Sequence, residues 1–162
     1  MSDETVQTKV YIAQGGDSLF VKSGGALTIE SGGTLANRGT LIVAQGTQTA
    51  KTTSATLTAA EVLAGIITVN QGAAGASAQQ LPTAADLDTA LPDWVANDAF
   101  DFSVINISTV DAEDASVTTN TGWTLVGNMD IPAYSTAGSL NSSARFRARK
   151  TAAGAWTLYR IA

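Results

Sequence analysis

The stretch from Gly15 to Gly46 repeats a short glycine-led unit, and this repeat limits the architecture more than any other feature of the chain. The units run Gly-Gly-Asp-Ser-Leu-Phe-Val-Lys from Gly15, Ser-Gly-Gly-Ala-Leu-Thr-Ile-Glu from Ser23, Ser-Gly-Gly-Thr-Leu-Ala-Asn-Arg from Ser31 and Gly-Thr-Leu-Ile-Val-Ala-Gln-Gly from Gly39. Leu19 and Val21, Leu27 and Ile29, and Leu41 and Val43 sit two apart, as residues on one face of a strand do. The third unit breaks the pattern, because Leu35 is followed by Asn37. A unit of about eight residues holds one short strand and one corner, too little for a full turn of a single-chain β-helix. Three chains can close such a layer together, so Leu19, Val21, Leu27, Ile29, Leu35, Leu41 and Val43 are the expected core of a trimeric stem. The alternative is a β-meander that turns at the Gly pairs.

The rest of the chain reads as strands with two short helices. Charged residues make up only 14%, against about 25% in an average domain. Small residues and Thr fill the difference and favour pleated structure and turns. Gln45 to Thr58 reads as a connector. Thr58 and Glu61 have the spacing of a capping box, with Gly65 as the stop. Thr83 and Asp86 repeat that spacing between Pro82 and Pro92. Strands are expected at Ile66–Val69, Phe100–Ser108, Thr121–Gly127 and the hairpin Ala144–Lys150 with Ala155–Ile161; Gly72–Gln80 reads as a loop. Ile131–Tyr134 reads as a turn or an edge segment, because Pro132 cannot donate to a ladder. The expected class is therefore all-β: a Gly-rich β-helical or intertwined stem over 1–50, then a jelly-roll-like β-sandwich knob over 51–162.

Neither His nor Cys occurs. That removes the commonest general base, thiolate chemistry and disulfides, so no catalytic residue, cofactor or metal site is expected. Asp98 and Asp101 form a nominal carboxylate pair for glycoside hydrolysis, with no further residue to support it. Asp111, Glu113 and Asp114 could offer oxygens to a cation but read better as a solvated turn. Trp94, Trp123 and Trp156 could form a sugar-stacking platform but read better as core aromatics. A net charge of −5 argues against nucleic acid. The polar, acidic amino terminus argues against a secretory signal, and no apolar run is long enough to span a membrane.

Charge is unevenly spread. Between Thr52 and Ala144 there are ten acids and no Lys or Arg, whereas Arg145 to Arg160 holds five basic residues and no acid. Arg145, Arg147 and Arg149 share one face of their strand. They read better as partners of carboxylates on neighbouring strands or on another subunit than as a grip on a phosphate or acidic partner.

Leu81-Pro-Thr-Ala-Ala-Asp-Leu, Phe100-Asp-Phe-Ser-Val-Ile-Asn, Thr121-Gly-Trp-Thr-Leu-Val-Gly, Arg145-Phe-Arg-Ala-Arg-Lys and Ala155-Trp-Thr-Leu-Tyr-Arg-Ile together resemble a module of tailed-phage virion proteins. Such modules form knobs on head decoration proteins and head fibres. The resemblance implies a homotrimer, made in the host cytoplasm and carried on the capsid surface, that binds the major capsid protein and stabilises the head. Lys9, Val10, Tyr11 and Ile12 are then the expected capsid contact. The rival expectation is a fibre tip that binds a receptor or a host-surface glycan.

Overall fold

The computed structural model describes residues 10–12, 19–21, 39–40, 43–72, 75–134 and 142–162. The chain divides into two compact units, Met1–Val43 and Ala44–Ala162. In the first, strands β1 (Val10–Ile12) and β2 (Leu19–Val21) pair antiparallel with Tyr11 opposite Phe20. Most of the glycine repeat, including Leu27, Ile29, Leu35 and Leu41, lies outside the described residues, as does Lys9. The stem expected over 1–50 therefore falls largely outside them too.

The second unit is mostly β. Its strands are β3 (Thr49–Lys51), β4 (Ala55–Thr56), β5 (Ile66–Val69), β6 (Ser77–Gln80), β7 (Ala99–Asn106), β8 (Ala115–Thr118), β9 (Trp123–Val126), β10 (Asp130–Ile131), β11 (Ser143–Ala152) and β12 (Ala155–Arg160). Helix α1 (Ala59–Leu63) lies between β4 and β5, and α2 (Ala84–Ala90) between β6 and β7. Six strands form one mixed sheet in the order β3-β5-β7-β11-β12-β9, and four form another in the order β10-β8-β6-β4. From β3 to β10 the chain alternates between the sheets. β3, β5 and β7 run parallel in the larger, and β4, β6 and β8 run parallel in the smaller.

This winding departs from the jelly-roll expectation, because a jelly roll is built from antiparallel strands. From β3 to β10 the chain instead coils, each strand of one sheet being followed by a strand of the other. Parallel neighbours need long crossovers, which the alternate sheet and the helices provide. Antiparallel pairing joins β11 to β12 through a tight turn, and it also joins β7 to β11 and β8 to β10, which no local turn connects. The β11–β12 hairpin turns at Gly154 (φ 67°) and sits between β7 and β9.

Two coils of the winding repeat each other. Leu57-Thr-Ala-Ala-Glu-Val follows β4, and Leu81-Pro-Thr-Ala-Ala-Asp-Leu follows the adjacent parallel strand β6. Both leucines are buried, and Val62 and Leu87 are buried four residues after the capping threonines. The leucine amides make matching bonds, Leu57 N–H to the Gln80 carbonyl and Leu81 N–H to the Thr118 carbonyl. Both capping boxes form: Thr58 accepts from the Glu61 amide and Thr83 from the Asp86 amide, while each acidic side chain accepts from the threonine amide.

One contiguous core draws on both sheets and both helices. Ile67, Val69, Phe102, Val104, Phe146, Trp156 and Leu158 come from the larger sheet, and Ala115, Val117 and Ile131 from the smaller. Several local expectations need correction. The stretch read as a connector contains β3 and β4, and the stretch read as a loop contains β6. β8 was not expected at all. Ser77-Ala-Gln-Gln has no large apolar side chain, yet Ser77 and Gln79 face the interior, and β6 is a strand because β4 and β8 pair with it from both sides.

Candidate interaction face

Strand β11 alternates strictly. Ala144, Phe146, Ala148 and Lys150 face the core, which places Arg145, Arg147 and Arg149 on the outer face of the six-stranded sheet. Register then sets their partners. Arg147 is directly opposite Asp101 of β7, and Arg145 is opposite Ser103. Arg147 donates Nε to Asp101 Oδ1 at 2.7 Å and Nη2 to Oδ2 at 2.9 Å, a two-point fork. Arg145 Nη2 donates to the same Oδ2 at 2.6 Å. The Arg147 guanidinium, opposed by partial burial and helped by Arg145, holds the Asp101 carboxyl below its ordinary value. Arg149 extends the row, donating to Asn97 Oδ1 at 2.9 Å and to the Tyr159 hydroxyl at 3.2 Å.

The arginine side chains stay exposed, at 59% for Arg145 and 52% for Arg147, whereas Asp101 is only 18% exposed. Three guanidinium groups and one carboxylate leave this face with a net charge of +2 in a chain of −5. Around them on the outer face lie Ile105 of β7, Thr157 of β12, and Thr124 and Val126 of β9. The sequence placed the arginines together and favoured internal partners. The identity of Asp101 as the shared partner depends on register across β7 and β11, which no local pattern encodes.

Lys150 belongs to the same basic run but points inward. It lies 3.0 Å from Asp88 of α2 and stands over the Trp156 ring. Asp88 also accepts from the Gly154 amide at 2.6 Å and from Trp156 Nε1 at 3.0 Å. Burial pushes the Asp88 carboxyl up, and these donors outweigh it, so the group is held below its ordinary value. Asp88 thus ties the hairpin turn, the core indole and α2 together. The signal for Lys150 was its even spacing from Phe146 and Ala148, the inward residues of the strand.

The other singled-out groups are engaged in structure. Asp98 accepts from the Val95 amide, whereas Asp101 pairs with Arg145 and Arg147, so the two carboxylates serve different contacts. Glu113 is buried and accepts from the Ser108 hydroxyl, while Asp114 accepts from the Ala133 amide. Among the described residues, no group of three or more His, Cys, Asp or Glu could hold a metal ion. Trp156 is buried, Trp94 and Trp123 stack near it at ring separations of 6.1 and 6.0 Å, and Trp123 Nε1 donates to the Pro82 carbonyl. The three indoles therefore form part of the core and not an open platform. A shallow groove between the helices is lined by Thr56, Leu57, Ala60, Asp86 and Ala90. Its one carboxylate, Asp86, is occupied by its capping box.

Of the expected trimer-core residues, Leu19 and Val21 lie on β2, and the side chains of Val21 and Val43 are exposed in the single chain. Val10, Tyr11 and Ile12, expected to meet the capsid, form β1. No protein-family model, curated protein or solved structure matches this chain.

Proposed function

We propose that the chain is a non-enzymatic structural protein of a tailed-phage particle, a trimer that attaches to the outer capsid and clamps neighbouring subunits. The glycine repeat would form the shared stem, and the second unit would be carried on it. Contacts repeated around a three-fold axis give avidity without any single strong contact.

One observation carries the non-enzymatic part of this reading. In a chain without His or Cys, acid or base chemistry falls to carboxylates, Lys and Tyr, and most carboxylates among the described residues are engaged in structural contacts. Glu61 and Asp86 cap helices, Asp98 and Asp114 hold backbone amides, Asp88 joins α2 to the hairpin, and Asp101 pairs two arginines. The outer face of the six-stranded sheet carries ordered charge, which suits binding better than turnover.

The test is co-sedimentation of the full chain with expanded, DNA-free capsids of its phage, beside binding to host cells. Saturable capsid binding with none to cells is the expected result. Binding to cells and not to capsids would replace this reading with the fibre-tip one.

A further inference from the structure

The charge on the second unit is segregated more sharply than the net value suggests. Residues 44–162 carry ten acids and six basic residues. Arg145, Arg147, Arg149 and Asp101 lie on the outer sheet face. Away from that face, nine acids stand against three basic residues, a net of −6. Those three basic groups are already used: Lys51 pairs with Glu61, Lys150 with Asp88, and Arg160 donates to the carbonyls of Asn128 and Asp130. By contrast, Asp93, Asp111 and Asp130 are exposed, and their carboxylates make no hydrogen bond among the described residues.

We propose that the outer face of the six-stranded sheet is a contact surface between copies of this chain, Arg145 and Arg147 of one copy reaching exposed acidic residues of the next. The inference rests on the trimeric reading above and deepens it. A symmetric face-to-face contact would set +2 against +2 and is disfavoured by like-charge repulsion. The contact is therefore heterologous, basic face to acidic surface, which is the kind of interface that closes a ring. Arg145 and Arg147 are suited to it, because Asp101 fixes their direction while more than half of each side chain remains exposed. Val126, also exposed on this face, adds apolar area beside the charges.

The test uses the full-length chain and a conservative variant, Arg145→Lys with Arg147→Lys, which keeps the charge and supplies amines for zero-length carbodiimide coupling to carboxylates. The mass of the unaltered chain in solution is measured first. Equal amounts of unlabelled and nitrogen-15-labelled variant are then denatured, refolded together, coupled and digested. The expected result is a mass near three chains and mixed-isotope crosslinks from position 145 or 147 to Asp93, Asp111 or Asp130. A mass near three chains with coupling only to Asp101 of the same copy overturns the inference and leaves the trimer standing. A monomeric mass for the unaltered chain removes the trimeric reading itself.

Discussion

Arg147 stands directly opposite Asp101 across the β7–β11 ladder, and Arg145 reaches the same carboxylate from two residues away. The arrangement orders a basic row on an open face at little energetic gain, since exposed ion pairs contribute about 0–1 kcal/mol. Asp101→Asn is therefore expected to lower unfolding free energy by about 1 kcal/mol or less. A urea titration checks this. A loss of several kcal/mol would mean that the pair is a principal stabilising element and not an organiser of the face.

Acid should weaken the second unit in a defined window. Asp101 is held below its ordinary value first by Arg147. In Asp88 and Glu61 burial acts the other way and is outweighed, by Gly154, Lys150 and Trp156 in the first and by Lys51 and Thr58 in the second. A depressed folded pKa means that the unfolded chain binds more protons as pH falls below about 4, so stability rises with pH across that range. The contribution is complete above the ordinary carboxylate values and is lost as pH drops through the folded ones. Urea midpoints should be equal at pH 6 and 7 and fall clearly at pH 3; a midpoint unchanged at pH 3 would contradict these assignments.

The coil corner at Gly122 should be far less tolerant than the hairpin turn at Gly154. Both have positive φ, 85° and 67°. A Cβ at 122 would lie 2.4 Å from the Gly154 carbonyl oxygen and 2.5 Å from the Ala84 Cβ, whereas nothing lies within 4 Å of one at 154. Gly154→Ala should cost about 1–2 kcal/mol from backbone strain alone, and Gly122→Ala more. Thermal melts of the two variants give the ranking, and equal losses would contradict the close approach of the three segments.

Much of the local structure was legible because its signals are local. Thr58 with Glu61 and Thr83 with Asp86 announce two helices through contacts three residues apart, and the alternation from Ala144 to Lys150 announces a strand and its inward face. The parallel winding was not legible, since nothing in Ser77-Ala-Gln-Gln or Ala55-Thr states which strands will flank them. Pairing with distant neighbours made strands of segments with weak propensity. The same limit hid Asp101 as the shared partner of Arg145 and Arg147, although their common face was evident.

The two helix caps should contribute alike. Thr58→Ala and Thr83→Ala each remove a side chain that accepts from a backbone amide, and each should cost about 1 kcal/mol. Phe146→Ala is the contrast, because it empties a fully buried site beside Phe102 and should cost about 3–5 kcal/mol. Chemical denaturation of the three variants checks the ordering, which fails if a cap variant loses as much as the core variant.

The proposed trimer, built to bind and not to catalyse, stands or falls on the mass of the purified full chain, measured by light scattering on a sizing column without crosslinker. A single species near three chains across dilution is the expected result. A clean monomer would contradict it, removing the shared stem and the three-fold capsid clamp together.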